Sequence, residues 1–169
     1  LAIKNIIVFE EAIQAKQYCV DAWVDKEGEH HIWSIADHYY HKANKPILDC
    51  YSMPSTLPQA VQDQLKNCAI STAKNHKLNN SFYNVEIWLK DDGTAKVTEI
   101  NGRFTSVWHN LHDQCLGASQ YKAVLELAHE GAVKTQPKKD RKTNKFACQF
   151  YVITFEEGHL HELLDLELA

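Results

Sequence analysis

Short runs in which apolar and polar side chains alternate, or in which β-branched residues dominate, predict β-strands. These runs are residues 3–9, 18–24, 30–36, 82–89, 95–100 and 146–155. A turn-forming stretch at 26–29 joins the second and third runs as a hairpin. Asp92 and Gly93 form one of the strongest short hairpin signals and join the next two runs. We therefore expect two antiparallel hairpins.

Apolar residues change to helical spacing in two parts of the chain. One helix is predicted over 57–76, with Ser55 or Thr56 as N-cap and Pro58 in its first turn, where the missing N–H costs nothing. A second helix is predicted over 119–131, with a serine N-cap at its start and a glycine at its end. The fold class is therefore α+β, an antiparallel β-sheet with flanking helices. The six glycines are too dispersed for a Rossmann or P-loop phosphate loop.

The composition predicts one globular core. The chain has 169 residues, of which 44% are hydrophobic and 24% charged, and its net charge of −4 leaves no basic excess for a nucleic-acid backbone. Its longest apolar run, residues 6–9, is far too short for a membrane span, and no signal segment precedes it. We expect a soluble, cytoplasmic protein that binds neither nucleic acid nor membrane. Because the chain begins at Leu1 rather than at methionine, we also expect it to be a piece of a longer protein.

The remaining compositional signals favour structural roles. Five cysteines without a CxxC pair predict buried thiols in a reducing compartment. The histidine pairs lack a Cys or Asp at the spacing of a zinc site, although His109 and His112 could line a substrate pocket. Residues 134–145, with six basic residues and one acid, are typical of a solvated linker, with contact to RNA or a partner as the less favoured interpretation. Four aromatic residues are expected to fill the core, namely Trp23, Trp33, Phe82 and Trp108.

The second hairpin carries the most informative polar residues. Glu86 and Trp88 share one face of the first strand, and Glu99 and Asn101 share one face of the second. Across a tight turn these faces can coincide, which would set two carboxylates and an amide oxygen close together. Such oxygen ligands suit Mg²⁺ or Mn²⁺. On spacing alone, a solvent-facing strand pair with two glutamates remains the simpler interpretation.

Three sequence motifs, considered together with their order along the chain, favour a metal site over the solvent-facing strand pair. Glu86, a glycine turn and then Glu-Ile-Asn-Gly-Arg at 99–103 resemble the metal-binding hairpin of the ATP-grasp superfamily. Residues 8–13, Val-Phe-Glu-Glu-Ala-Ile, and 17–21, Gln-Tyr-Cys-Val-Asp, are similar to its adenine- and ribose-binding segment. Residues 53–58, Met-Pro-Ser-Thr-Leu-Pro, resemble a segment of its carboxylate-amine ligases. The chain is identified as a member of that branch, which includes biotin carboxylase-like and D-alanine–D-alanine ligase-like enzymes.

The resemblance implies a magnesium or manganese site with Glu86, Glu99 and Asn101 as ligands. It assigns Arg103 a catalytic contact with a phosphate or with the acyl phosphate, which the planar fork of guanidinium donors suits. In this family the metal bridges the phosphates of ATP, a substrate carboxylate attacks the γ-phosphate, and an amine displaces the acyl phosphate. The implied partners are a small-molecule carboxylate and an amine, and a homodimer is the protein partner that we keep open.

The resemblance also implies which residues bind ATP. Glu10 and the backbone from Glu11 to Ile13 would meet the adenine edge. Gln17 would meet the ribose, and Trp88 falls where an apolar residue packs under the base. These nucleotide contacts and the metal ligands make ATP and Mg²⁺ or Mn²⁺ the expected cofactors.

The resemblance divides the chain into three parts. Residues 1–133 would be the C-terminal subdomain of an ATP-grasp domain, 134–145 a basic linker or loop, and 146–169 the start of a small β-rich C-terminal lid segment. The family's phosphate-binding lysines and glycine-rich flap would lie upstream of Leu1. We therefore expect a fragment of an ATP-dependent ligase that has no turnover as an isolated chain.

Some positions depart from the family pattern. Gln17 replaces a usual Glu, Ala15 a usual Gly and Gly102 a common Pro, and residues 104–108 replace a glycine-rich stretch. Two other interpretations therefore stay open. One is a nucleotide- or metal-binding module without turnover, and the other is a structural or interaction domain whose acidic hairpin is incidental.

Overall fold

The computed structural model describes residues 7–42, 47–137 and 146–159 of the chain. These residues form six β-strands, three α-helices and one turn of 3₁₀-helix. In chain order the elements are β1 (Lys16–Val24), β2 (His30–Tyr40), β3 (Leu48–Met53), α1 (Gln59–Asn75), β4 (Ser81–Leu89), β5 (Ala95–Asn101), the 3₁₀ turn (Ser106–Trp108), α2 (His109–Leu116), α3 (Gln120–Glu130) and β6 (Ala147–Phe150).

The strands form one sheet in the order β5-β4-β1-β2-β3-β6, and all neighbouring strands are antiparallel. Both predicted hairpins are present, as β1–β2 and as β4–β5. Strand β1 of the first hairpin pairs with β4 of the second, and this pairing joins the two hairpins into one continuous sheet. The predicted α+β class, with an antiparallel sheet and flanking helices, is confirmed.

Helix α1 covers one face of the sheet. Alternation along β1 directs Val20, Ala22 and Val24 to this face, where Leu65 and Ala69 of α1 pack against them. All five side chains are fully buried. Because successive side chains of a strand point to opposite faces, the intervening residues of β1 point to the other face, which carries the polar groups described below.

Helices α2 and α3 pack on that second face. Trp23, Trp33 and Phe82 form a cluster with apolar residues of α3. Trp108 packs with Leu111 of α2 in a neighbouring cluster. The four aromatic residues that the sequence assigns to the core are all buried, so this prediction is confirmed.

The ends of α3 agree with the sequence prediction. The Ser119 hydroxyl accepts a hydrogen bond from the backbone N–H of Lys122, and Gly131 ends the helix with a φ of 73°. This left-handed conformation favours glycine at the end of a helix.

The start of α1 does not agree. Pro58 is the N-cap, and no side chain caps the helix. The predicted cap at Ser55 or Thr56 is therefore wrong. Ser55 instead accepts a hydrogen bond from a backbone N–H within the preceding turn, and the Thr56 hydroxyl donates to Asp37 of β2 at 3.4 Å.

Several strand predictions also need correction. Residues 7–9 of the first predicted strand are exposed and not in a strand, and residues 3–6 lie outside the described residues. The last predicted strand, 146–155, is confined to Ala147–Phe150. The sequence pattern predicts neither β3 nor α2, because each is short and has too few apolar residues to show a period.

All five cysteines are free thiols. Cys19 and Cys50 are buried and Cys148 is exposed, so the expectation that all five are buried is wrong. None of the helices in the described part of the chain has the length and apolar character that crossing a membrane requires. The proposed division of the chain at the basic linker stays a prediction, because 138–145 lie outside the described residues.

Candidate functional site

The β4–β5 hairpin closes through a tight turn. The N–H of Lys90 donates to the carbonyl of Thr94 at 2.9 Å, and the N–H of Gly93 donates to the carbonyl of Lys90 at 2.9 Å. Gly93 has a φ of 83°, a left-handed conformation that a glycine adopts without strain. Asp92 accepts the Thr94 N–H at 2.8 Å. The Asp-Gly pair thus fixes the register of the two strands next to the turn, where Leu89 pairs with Ala95.

A register shift at Thr98, between the turn and the acidic pair, places polar side chains opposite one another. Glu86 pairs with Glu99, and Asn84 pairs with Asn101. Paired residues of an antiparallel ladder share a face, and so do residues two apart on one strand, so all four side chains lie on one face of the sheet. Asn101 Nδ2 donates to Asn84 Oδ1 at 3.2 Å. The three residues predicted to bind a metal therefore lie side by side.

The two glutamates differ in burial. Glu86 is partly buried, whereas Glu99 is exposed. Burial raises the pKa of Glu86, and the Glu99 carboxylate opposite raises it further. The hydrogen bond from Gln17 and the charge of Arg103 lower the same pKa. Two carboxylates that face each other across strands repel, and a cation between them would remove the repulsion.

Gln17 of β1 lies beside Glu86 and is only 4% exposed. Its Nε2 donates to Glu86 Oε2 at 2.8 Å. Its Oε1 accepts hydrogen bonds from the Tyr40 hydroxyl and from Nδ1 of His38, the latter at 3.1 Å. Both ends of the amide are thus occupied by protein groups. A ribose contact by Gln17 stays a prediction, and it would have to replace one of these bonds.

Trp88 lies two residues beyond Glu86 on β4 and shares its face. Its ring stacks on Tyr40, with centroids 5.7 Å apart and 17° between the planes. Burial, followed by the Glu86 carboxylate, raises the pKa of Tyr40 to about 12, so the hydroxyl keeps its proton for Gln17. Trp88, Tyr40 and Gln17 form a chain of contacts that ends at Glu86.

The segment predicted to bind adenine precedes β1. Glu10 is exposed and Ile13 is partly buried. Glu11 pairs with Lys90 Nζ at 2.9 Å and with Lys96 Nζ at 3.2 Å, and these ammonium groups lower its pKa. The ion pairs connect the segment to the β4–β5 hairpin.

A cavity of about 330 Å³ lies beside the acidic pair. Glu86, Asn84 and Asn101 border it, and so does Arg103. Arg103 is exposed, and its Nη1 donates to the backbone carbonyl of Phe104 at 3.3 Å. A guanidinium carries five N–H donors, so this group can also bind a carboxylate or a phosphate.

A buried polar cluster around Asp21 adjoins the site, and the sequence pattern assigns it no role. Asp21 is fully buried and pairs with Asn84 in the β1–β4 ladder. Its Oδ1 accepts a hydrogen bond from Thr105 Oγ1 at 2.6 Å, and its Oδ2 lies 3.4 Å from His112 Nε2. Because Thr105 follows Arg103 by two residues, Asp21 anchors the loop that carries the arginine. The signal that could have revealed this role is an aspartate within a strand whose neighbours are apolar.

The histidines that the structure describes do not form a metal centre. His112 is fully buried, and its Nε2 also lies 3.1 Å from Ser34 Oγ. His109 is partly buried against the ring of Tyr121, with centroids 5.2 Å apart. Neither is among the described residues that border the cavity, so the interpretation of this pair as pocket-lining is wrong for this cavity.

Throughout the described part of the chain, no group of three or more His, Cys, Asp or Glu side chains is arranged to hold a metal ion. Glu86 and Glu99 provide two carboxylates. A metal at this position would therefore need the amide oxygen of Asn101 and oxygens from outside the protein.

Comparison with known families connects these features. A family model described as the ATP-grasp domain matches residues 2–110, more than half of the chain. The chain belongs to the ATP-grasp domain family. The resemblance to the ATP-grasp superfamily that the sequence motifs predict is thus confirmed. The matched residues include β1 to β5 and Arg103, whereas α3 and β6 lie beyond the match. No curated protein sequence matches this ATP-grasp chain.

Solved structures share the fold. An L-amino acid ligase from Bacillus licheniformis is 19% identical, with a TM-score of 0.62 over 74% of this chain and 31% of that chain. A biotin carboxylase from Campylobacter jejuni in complex with βγ-ATP is 18% identical, with a TM-score of 0.63 over 76% and 29%. The N5-carboxyaminoimidazole ribonucleotide synthetase from Thermotoga maritima is 18% identical, with a TM-score of 0.60 over 76% and 34%. The likeness is one of fold, and the ATP-grasp chain spans about a third of the length of these proteins.

Proposed function

We propose that this ATP-grasp chain is part of an ATP-dependent carboxylate-amine ligase that activates a carboxylate as an acyl phosphate for attack by an amine. The observation that carries the proposal is the common face of Glu86, Glu99 and Asn101 beside a cavity that Arg103 borders. Membership of the ATP-grasp family supports the nucleotide-binding part. The ligase among the structures of similar fold supports the reaction class. We also propose a cytoplasmic location.

The donor set at this position fits Mg²⁺ or Mn²⁺, which prefer carboxylate and amide oxygens. Asn101 uses its Nδ2 toward Asn84, which leaves its Oδ1 as the atom that would bind the metal. Burial and, after it, the Glu99 carboxylate raise the pKa of Glu86, and a bound cation would relieve the repulsion between the two carboxylates. When held by Glu86, Glu99 and Asn101, Mg²⁺ would neutralise the charge that develops on the transferred phosphoryl group.

We assign the nucleotide to the Trp88 side of this site. The adenine edge would meet Glu10 and the backbone of residues 11–13. The Trp88 ring, which Tyr40 supports from its other side, would pack under the base. Gln17 would reach the ribose if the nucleotide displaced one of its present hydrogen bonds.

In the proposed reaction, a carboxylate oxygen of the substrate attacks the γ-phosphorus of ATP. The bond from this phosphorus to the β,γ-bridging oxygen breaks, and ADP leaves. The amine nitrogen then attacks the acyl carbon, the bond from that carbon to the phosphate oxygen breaks, inorganic phosphate leaves, and the nitrogen releases a proton to solvent. Arg103 would bind the carboxylate and then the acyl phosphate through paired N–H donors. The contribution of the protein is positioning and charge neutralisation.

Binding of Mn²⁺, a paramagnetic substitute for Mg²⁺, tests the proposal. The chain is titrated with and without a non-hydrolysable ATP analogue, and free Mn²⁺ is followed by electron paramagnetic resonance. We expect binding that the analogue strengthens and that the double variant Glu86→Gln/Glu99→Gln loses. Glu27→Gln, which removes an exposed carboxylate from the β1–β2 turn, is the matched control and should bind normally. A chain that binds neither Mn²⁺ nor nucleotide would instead be a structural or interaction domain.

ADP release separates a ligase from a binding module without turnover. It is measured with carboxylates and amines, on this chain and on a longer protein that contains it. We expect no ADP from the chain alone, because the resemblance places the phosphate-binding lysines outside it. ADP release by the longer protein would support the ligase, and nucleotide binding without ADP release would support the module. Rapid ADP production by the 169-residue chain would contradict the expectation that this chain has no turnover by itself.

A further inference from the structure

The cavity beside the acidic pair extends to one side of Glu86. Trp88, Glu86 and Asn84 follow one another on one face of β4, roughly 7 Å apart. Glu86 and Asn84 border the cavity, whereas Trp88 is not among the described residues that do. Under the proposed function the base lies at Trp88. The cavity therefore adjoins the candidate metal site without including the proposed position of the base, and under the proposed function it is where a second substrate would bind.

The cavity crosses the sheet from a charged end to an aromatic end. Asn101 and Arg103 belong to the β5 side, and Tyr51 belongs to β3. Strands β4 and β3 are separated by β1 and β2, and three strand spacings amount to about 14 Å. A ligand that fills the cavity would be elongated, with its charged group near β4 and β5 and its other end near β3.

Aromatic rings from three elements form the far wall. Tyr51 lies between Trp108 of the 3₁₀ turn and Tyr151, which follows β6, with ring centroids at 5.0 and 5.8 Å and edge-to-face geometry. Trp108 is 1% exposed, whereas Tyr151 is 38% exposed. Val107 also borders the cavity and is 48% exposed. The wall is thus held in place by a buried ring, and Tyr151 and Val107 offer it accessible apolar surface.

We propose that the acid substrate of this site carries an aromatic or bulky apolar group, which packs on Tyr51, Val107 and Tyr151 while its carboxylate lies at Arg103. The inference rests on the proposed function for the position of the nucleotide. A short hydrophilic acid would occupy only the charged end and would leave the rings in water. The volume of about 330 Å³ also lies in the range of pockets that take small organic ligands, roughly 300–1,000 Å³.

Two acids that differ by one ring test the inference. 3-Phenylpropionate and propionate are titrated calorimetrically into the chain, with Mg²⁺ and the ATP analogue present. We expect 3-phenylpropionate to bind about tenfold to a hundredfold more tightly, the gain that burial of one ring gives. Tyr151→Ala should abolish this preference. Tyr39→Ala is the matched control, because Tyr39 is 46% exposed and points to the opposite face of β2 from the site.

A third variant tests the charged end. Arg103→Met should weaken the binding of both acids by the same factor, because both present the same carboxylate. Equal affinities for the two acids in a chain that binds metal and nucleotide would overturn the inference and leave the proposed function standing. A ring preference that Tyr151→Ala removes, in a chain that binds no nucleotide, would support the aromatic wall and count against the proposed function.

A measurement on the unmodified chain also tests the inference, and it does not depend on whether the Tyr151→Ala variant folds. In saturation-transfer NMR, the ring protons of bound 3-phenylpropionate should receive more saturation than the methylene protons next to its carboxylate. The reverse order, or no transfer to either group, would overturn the inference.

Discussion

The side-chain amide of Gln17 donates a hydrogen bond to Glu86 at 2.8 Å, across the boundary between β1 and β4. The amide has one orientation, because the Tyr40 hydroxyl and Nδ1 of His38 both donate to its oxygen. Gln17 is therefore a neutral donor to a carboxylate whose pKa is already raised by burial and by Glu99. A third carboxylate at this position would add repulsion, which gives a physical reason for glutamine where the family pattern has glutamate.

Gln17→Glu should lower the free energy of unfolding at pH 7 by about 1–3 kcal/mol, because it replaces a hydrogen bond with repulsion between partly buried carboxylates. Adding Glu86→Gln should restore most of the loss, since the pair then has donor and acceptor exchanged. Urea unfolding of the wild type, both single variants and the double variant measures the coupling. Simple additivity of the two substitutions would mean that the side chains do not interact.

The bond between Thr105 and Asp21 should hold the loop that carries Arg103. Thr105→Val removes a 2.6 Å hydrogen bond to a fully buried carboxylate and should cost about 1.5–3 kcal/mol of stability. Amide hydrogen exchange around Arg103 should become faster. Thr98→Val, at an exposed threonine of β5, is the matched control. Equal stability and equal exchange in the two variants would show that the bond does not anchor the loop.

His38 should make the protein less stable as the pH falls. Burial lowers the pKa of His38 from 6.5 to about 4. Nδ1 donates to Gln17, and Nε2 is buried without a hydrogen-bond partner among the described residues, so a second proton would find no acceptor. Between pH 6.5 and 4 the unfolded chain therefore binds a proton that the folded chain does not, so the free energy of unfolding decreases as the pH is lowered. The full loss should be on the order of 3 kcal/mol.

The difference in unfolding free energy between wild type and His38→Gln isolates this effect across the pH range. His129→Gln, at an exposed histidine of α3, should retain the wild-type pH dependence. A His38→Gln variant whose stability falls as steeply as that of the wild type would assign the pH dependence to another group.

Local patterns predict the parts of this site that depend on neighbouring residues. The Asp92–Gly93 turn predicts the β4–β5 hairpin, and strand alternation places Glu86 with Asn84 on one face of β4. Helix α3 is predicted correctly for the same reason, because its caps act within one turn of the chain. The register shift between Glu86 and Ile87, which brings Glu99 opposite Glu86, has no signal in the sequence pattern.

Tertiary contacts account for what the sequence does not predict. The partners of Gln17 come from β2 and β4, so its orientation depends on the pairing of β1 with both strands. Asp21 is buried by Thr105 and His112, which lie more than 80 positions further along the chain. No periodic pattern encodes such contacts, and a short strand such as β3 has too few residues to show one.

Glu99→Gln should separate metal binding from folding. Glu99 is exposed and faces Glu86, so in the metal-free chain its charge contributes repulsion. Its removal should leave the unfolding temperature unchanged or slightly higher. The pKa of Glu86 should fall, because the Glu99 carboxylate is one of the groups that raise it. Thermal unfolding and the ¹³C chemical shift of the Glu86 carboxyl measure these two effects.

The same variant should bind Mn²⁺ at least about tenfold more weakly. Substitution of residues that only hydrogen-bond to metal ligands already lowers metal affinity by about this factor. In an active ligase, ADP release should fall far more than stability, because a weakened cation neutralises less of the charge on the transferred phosphoryl group, an effect of several kcal/mol. Glu27→Gln serves again as the control for a lost carboxylate. A Glu99→Gln chain that does not fold would point to a structural hydrogen bond, and unchanged Mn²⁺ affinity would remove Glu99 from the site.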